Sequence, residues 1–234
     1  ARRLKLMNVT RRILQQLAAF SSVDECLAHS RGLSDVVLNM PRLAGGPGGQ
    51  RAVNIEEAAY AEIGYVDPDG RGHARHTLEG GLVLPLSANV WRVTAGAADA
   101  PPGAHSYFIG AGAGGAWALV DPQWDDAAHA AALRAAAPGP VRWILSTREP
   151  GGASPWRAAW PDAEYASAEP GAQLSLGDTV HLRVLAHAAD PAARGFLLLP
   201  EGILFAGAAA WPLAQLPQQA SWLAPAHGFL QRAR

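Results

Sequence analysis

His73 and His76 stand three residues apart in a Gly- and Arg-rich stretch, a spacing that could supply two ligands to a divalent cation. No second pair of donors accompanies them, so this segment reads as a solvated turn. Serine chemistry would need a hydroxyl, an imidazole and an acid in reach. Ser146 and Ser154 flank one loop, but neither sits in a Gly-x-Ser-x-Gly elbow. Cys26 is the only thiol, which excludes an intramolecular disulfide and a cysteine-rich zinc module. It falls on the same side of a predicted helix as Leu27, with no activating base nearby, and is expected to be a small core residue. The run Gly45 to Gly49 lacks the Lys-Ser/Thr of a phosphate loop and is expected to be a plain loop.

The elements that must position any site follow from periodicity. Residues 10 to 32 predict two helices: Thr10 is placed to cap the first, whose apolar Ile13, Leu14 and Leu17 recur at helical spacing. Ser22 and Glu25 have the capping-box spacing, and Gly32 is expected to end the second helix in a left-handed conformation. Val36 to Met40 is a short β-type run stopped by Pro41, and Asp67-Pro68-Asp69-Gly70 a tight turn. From Leu82 the pattern becomes short apolar strands between Gly, Pro and Ala turns. An alanine-rich crossover helix is predicted from Trp124 to Ala136, with Asp125 and Asp126 complementing its N-terminal dipole. Val141 to Ser146 then forms a buried strand. The division expected is an N-terminal mixed α/β extension over 1–81 and a sandwich domain over 82–234.

Composition narrows the function. A net charge of −1 over 234 residues gives no electrostatic footprint for nucleic acid or an anionic membrane. No stretch reaches 18 consecutive apolar residues, and the N-terminus lacks a signal-type apolar core. A cytoplasmic protein is expected.

The motif order after residue 82 resembles the metallo-β-lactamase superfamily, closest to its bacterial lactamase-β-like hydrolases. The likeness is carried by Val90-Trp91-Arg92-Val93-Thr94-Ala95, His105-Ser106-Tyr107-Phe108-Ile109-Gly110 and Val120-Asp121-Pro122. It continues through Leu176-Gly177-Asp178, Leu182 to His187, Leu204-Phe205-Ala206-Gly207-Ala208 and Leu223-Ala224-Pro225-Ala226-His227-Gly228. The resemblance implies a four-layered αββα sandwich. It also gives Asp121 a hydrogen-bonding role at a strand end.

In that family the strand matching Val141 to Ser146 ends in Thr-His-x-His-x-Asp-His, whose side chains hold a zinc pair. The matching positions here are Arg148, Pro150, Gly152 and Ala153. The second-loop histidine is matched by Pro191 and the bridging aspartate by Ala208, and His227 alone keeps its type. Zinc needs three or four N, O or S donors, and one histidine cannot supply them. With neither the metal that acidifies water nor the orienting aspartate, inherited hydrolysis is not expected. No metal and no cofactor are expected.

Three readings follow from the resemblance. The leading one is a catalytically inactive member with a structural, regulatory or subunit-partner role, homo- or hetero-oligomeric and possibly paired with an active relative. The second is a hydrolase of esters, thioesters or phosphodiesters with a site rebuilt from Glu149, His187, Asp190 and His227, which the fold would bring to one mouth. The third is a module binding an acyl or nucleotide ligand in the old cleft. Trp156, Trp160 and Trp211 are expected to fill the vacated cleft, or else to line a pocket or interface. The stretch from Ala208 to His227 is short for the family, as though substrate-covering segments had been trimmed.

Overall fold

The computed structural model describes residues 7–34, 40–96, 102–112, 114–123, 126–148, 156–166 and 169–233. Its contacts divide the chain into two compact units, Ala1–Asn39 and Met40–Arg234.

The first unit holds helices α1 (Asn8–Leu17) and α2 (Val23–Gly32). α1 begins two residues before the expected Thr10 cap, and Met7 at its N-cap makes no side-chain hydrogen bond. The apolar side of this helix already starts at Val9, one residue before Thr10. In α2 the Ser22 hydroxyl accepts from Glu25 N as expected, but the Glu25 carboxylate reaches Ser21 N and Oγ instead of closing on Ser22. Gly32 is the last helical residue, followed by extended Leu33, and is not left-handed. Cys26 is half-buried on a helix with no buried residue, so it does not take the core role expected of it. The β-type run expected at 36–40 falls mostly outside the described residues.

The second unit is a layered α/β sandwich, as the motif order implies. It opens with the hairpin β1 (Arg42–Ala44) and β2 (Arg51–Val53), then α3 (Tyr60–Val66). One six-stranded sheet follows, in the order β3 (Val83–Pro85), β4 (Val90–Thr94), β5 (His105–Gly110), β6 (Trp117–Val120), β7 (Val141–Leu145) and β8 (Glu164–Ala166). Its β6–β7 and β7–β8 pairs are parallel. The crossovers between them carry α4 (Ala127–Ala136) and α5 (Trp156–Ala159). The other sheet runs β9 (Gln173–Ser175), β10 (His181–Ala186), β11 (Arg194–Leu199), β12 (Ile203–Gly207), β13 (Trp222–Pro225), β14 (Gln231–Arg232), neighbours in chain order.

Strand alternation assigns the faces. Tyr107, Ile109, Ala118, Val120, Trp143 and Leu145 meet Leu182, Val184, Phe196, Leu198, Ile203 and Phe205 between the sheets. The intervening Phe108, Leu119 and Ile144 face outward under Leu133 of α4 and Trp156 of α5. Asp126 caps α4 by accepting from His129 N at 2.9 Å, the helix-start role expected of it, while Asp125 lies outside the described residues. The outer face of the second sheet is covered by Trp211, Leu216 and Ala220, around a 3-10 turn at Leu213–Gln215. The chain after Ala208 therefore covers that sheet.

Residues 40–81, expected to belong to an extension, pack with the body. Glu62 of α3 is 1% exposed and forms a two-pronged pair with buried Arg92 of β4 at 2.6 and 2.9 Å. Its Oε2 also accepts from Leu230 N at 2.6 Å. The small core of Ala44, Val53, Ala59, Ile63 and Ala74 is completed by Phe229. His73 donates its backbone N–H to Asp67 in the expected turn, and the His76 ring lies against Gly46.

Candidate functional site

The C-terminal ends of β6 and β7 are joined by one residue pair. Asp121 follows β6 with a left-handed backbone, φ 51°, and its carboxylate accepts from Thr147 N and Thr147 Oγ1, both at 2.7 Å. This is the strand-end role expected of Asp121. Burial pushes its carboxyl up to about 6, against the two Thr147 hydrogen bonds that pull it down. The Thr147 carbonyl in turn accepts from Arg194 N at 2.8 Å, tying the first loop to the start of β11. Gly207 ends β12 directly against it: a Cβ there would lie 1.9 Å from Thr147 Oγ1.

Arg148, where the resemblance would place the first metal-binding histidine, spans the mouth. Its backbone bridges Ala193, and its guanidinium donates to Asp190 Oδ2 at 2.6 Å. The other Asp190 oxygen accepts from Ala192 N at 3.1 Å. His187 is equally committed. Its Nδ1 accepts from Ala189 N and Asp190 N at 3.3 and 3.0 Å, which leaves the proton on Nε2 to donate to Ala210 O at 2.9 Å. Its ring also stands edge-on to Trp211, 4.8 Å between centroids.

The third loop is anchored through His105. Its Nδ1 accepts from Thr94 Oγ1 at 3.1 Å, and its Nε2 donates to Gly228 O at 2.9 Å. Burial, then the nearby Arg92 charge, pushes this imidazole down to about 3, so it is neutral. The anchored segment presents His227 as an exposed side chain. Pro191 and Ala208 are exposed and carry no donor. Glu149, Pro150, Gly152 and Ala153 lie outside the described residues.

Among the described residues, a zinc site does not fit the donors that remain at this mouth. Both nitrogens of His187 and both oxygens of Asp190 already have protein partners, and a guanidinium occupies the position between the loops. Among the described residues no group of three or more His, Cys, Asp or Glu is arranged to hold a metal ion. A serine site does not assemble either. The Ser146 hydroxyl donates to Arg148 O in its own loop, and Ser154 is outside the described residues.

The tryptophans divide. Trp156 is fully buried under the first sheet and Trp211 lies over the second, so both fill core, in place of the pocket or interface also considered for them. Half-buried Trp160 stacks on Trp156 with centroids 5.7 Å apart. Two buried polar contacts are not foreshadowed by any motif. One is the Glu62–Arg92 pair. The other is His129 Nε2 at 2.9 Å from Ser106 Oγ, whose own proton goes to Asp121 O. His129 lies four residues before Leu133 on α4, and that spacing could have marked it as inward-facing.

No family model and no curated protein matches the sequence. Similar solved structures are of metallo-β-lactamase type. A β-lactamase domain protein from Burkholderia ambifaria is 14% identical, covering 68% of this chain and 75% of its own, at a TM-score of 0.49. A metallo-β-lactamase from Pontibacter korlensis is 14% identical over 65% of this chain and 93% of its own, at 0.46. A metallo-β-lactamase family protein from Thermus thermophilus is 17% identical over 63% and 78%, at 0.45.

Proposed function

We propose that this metallo-β-lactamase-like chain is a catalytically inactive member of its superfamily, acting as a structural, regulatory or subunit partner, in homo- or hetero-oligomers. One observation carries the reading: at the strand ends where a metal pair would be held, Arg148 is paired with Asp190, and His187 is bonded to backbone of its own loop and to Ala210 O. A cation there would have to displace a 2.6 Å guanidinium–carboxylate contact and detach His187 from three backbone groups. The loss of donors at Pro191 and Ala208 supports the same view. The strand framework is kept while the chemistry is gone, which suits a protein valued for its surface.

Metal analysis of the purified protein tests this. Sub-stoichiometric zinc, manganese and iron after dialysis, unchanged in His187→Asn, is the expected result. Near-stoichiometric metal that falls in His187→Asn or Asp190→Asn would overturn the reading and restore the rebuilt-hydrolase alternative. Mass measurement in solution tests the partner role, and a strict monomer with no co-purifying protein removes its support.

A further inference from the structure

At the opposite ends of β6 and β7 from the emptied cleft lies an open groove of about 500 Å³. Ala116 and Arg142 enter it from the starts of those strands, and Leu176, Gly177, Asp178 and His181 from the β9–β10 turn. Its volume falls in the range of small-molecule sites.

Three features of its wall point to a ligand. The Arg142 guanidinium lies over the Trp143 ring, 4.2 Å from its centroid, in cation–π contact with the buried indole. Arg142 has neither an ion-pair nor a hydrogen-bond partner among the described residues, and its planar fork is free to take two oxygens of one acid group. His181 Nδ1 is buried and also lacks a hydrogen-bond partner. A buried polar atom left so costs free energy until something bonds to it. The base is tightly packed: Leu176 is 2% exposed, and a Cβ on Gly177 would be 2.7 Å from Ala111 Cβ.

We propose that this groove binds a small monocarboxylic acid, its carboxylate held by the Arg142 fork beside His181 and its apolar body against Ala116. Asp178 lines the same groove and selects against multiply charged anions. The site is independent of the inactive-enzyme reading, since it uses none of the same residues.

Amide chemical-shift titration with benzoate and butyrate tests the proposal, with benzamide as the neutral counterpart. The carboxylates should shift the amides of Ala116, Gly177 and His181 saturably, and benzamide should not. Arg142→Gln should weaken benzoate at least about tenfold, the loss of a charge-assisted hydrogen bond. Arg142→Lys should retain part of the affinity, and Asp178→Asn should strengthen it. Arg142 is exposed, so these variants fold. No saturable shift at millimolar benzoate, an equal response to benzamide, or unchanged affinity in Arg142→Gln would each overturn the site.

Discussion

Arg148 and Asp190 meet at 2.6 Å across the mouth of the sandwich, joining the loop after β7 to the loop between β10 and β11. Both side chains are partly solvated, so the pair is worth less than about 1 kcal/mol. Its consequence is positional: a positive charge bridges the two loops that frame the mouth. Arg148→Ala should therefore leave the melting temperature nearly unchanged. Arg148→His should not bring stoichiometric zinc in equilibrium dialysis, because both His187 nitrogens stay bonded to backbone and Pro191 and Ala208 add no donor.

Opposed pH dependences are built into the strand ends. Asp121 has a folded pKa of about 6 against an ordinary value of 3.8, so its protonated form favours the fold. That contribution is full below about pH 4 and lost as pH rises through about 6, roughly 3 kcal/mol in all. His105 is depressed to about 3. Its contribution is full above about 6.5 and is lost as pH falls toward 3. Denaturant titrations from pH 4 to 7 should show stability rising more steeply with pH in Asp121→Asn than in the unaltered chain. Identical slopes would refute the Asp121 assignment.

Gly207 has φ 61° and no room for a Cβ beside Thr147. Gly207→Ala combines left-handed strain with a collision against a buried hydroxyl, and should destabilise by about 2–4 kcal/mol. Thermal and urea unfolding would report it.

The Glu62–Arg92 pair makes a sharper case. Removing one partner leaves a buried charge uncompensated, so Glu62→Gln or Arg92→Met should lose about 3–5 kcal/mol. Replacing both, as Glu62→Leu with Arg92→Met, should recover much of that loss. A double variant as unstable as the sum of the singles would show that the two residues act independently.

Much of the sandwich was legible as short apolar strands between Gly, Pro and Ala turns. Which face each residue takes was not: β5 and β6 are buried on both sides, and only packing puts Phe108, Leu119 and Ile144 under the helix layer. Local chemistry was legible for Asp126, which caps α4, while the strand-end role of Asp121 came from the resemblance. Helix ends were less so. Thr10 and Gly32 carry the right residue types, yet the helix starts ahead of one and keeps the other within its last turn.

The residue types at 148, 150, 152, 153, 191 and 208 were set by the sequence alone, and an alanine, glycine or proline side chain offers no donor in any conformation. What His187 and Asp190 do was decided by tertiary structure. An imidazole nitrogen is a ligand only if its lone pair is free, and here loop backbone takes that of His187 while a guanidinium from 42 residues away neutralises Asp190. The same holds for Glu62 and Arg92: nothing local links charges 30 residues apart, and only the folded chain brings both out of water together.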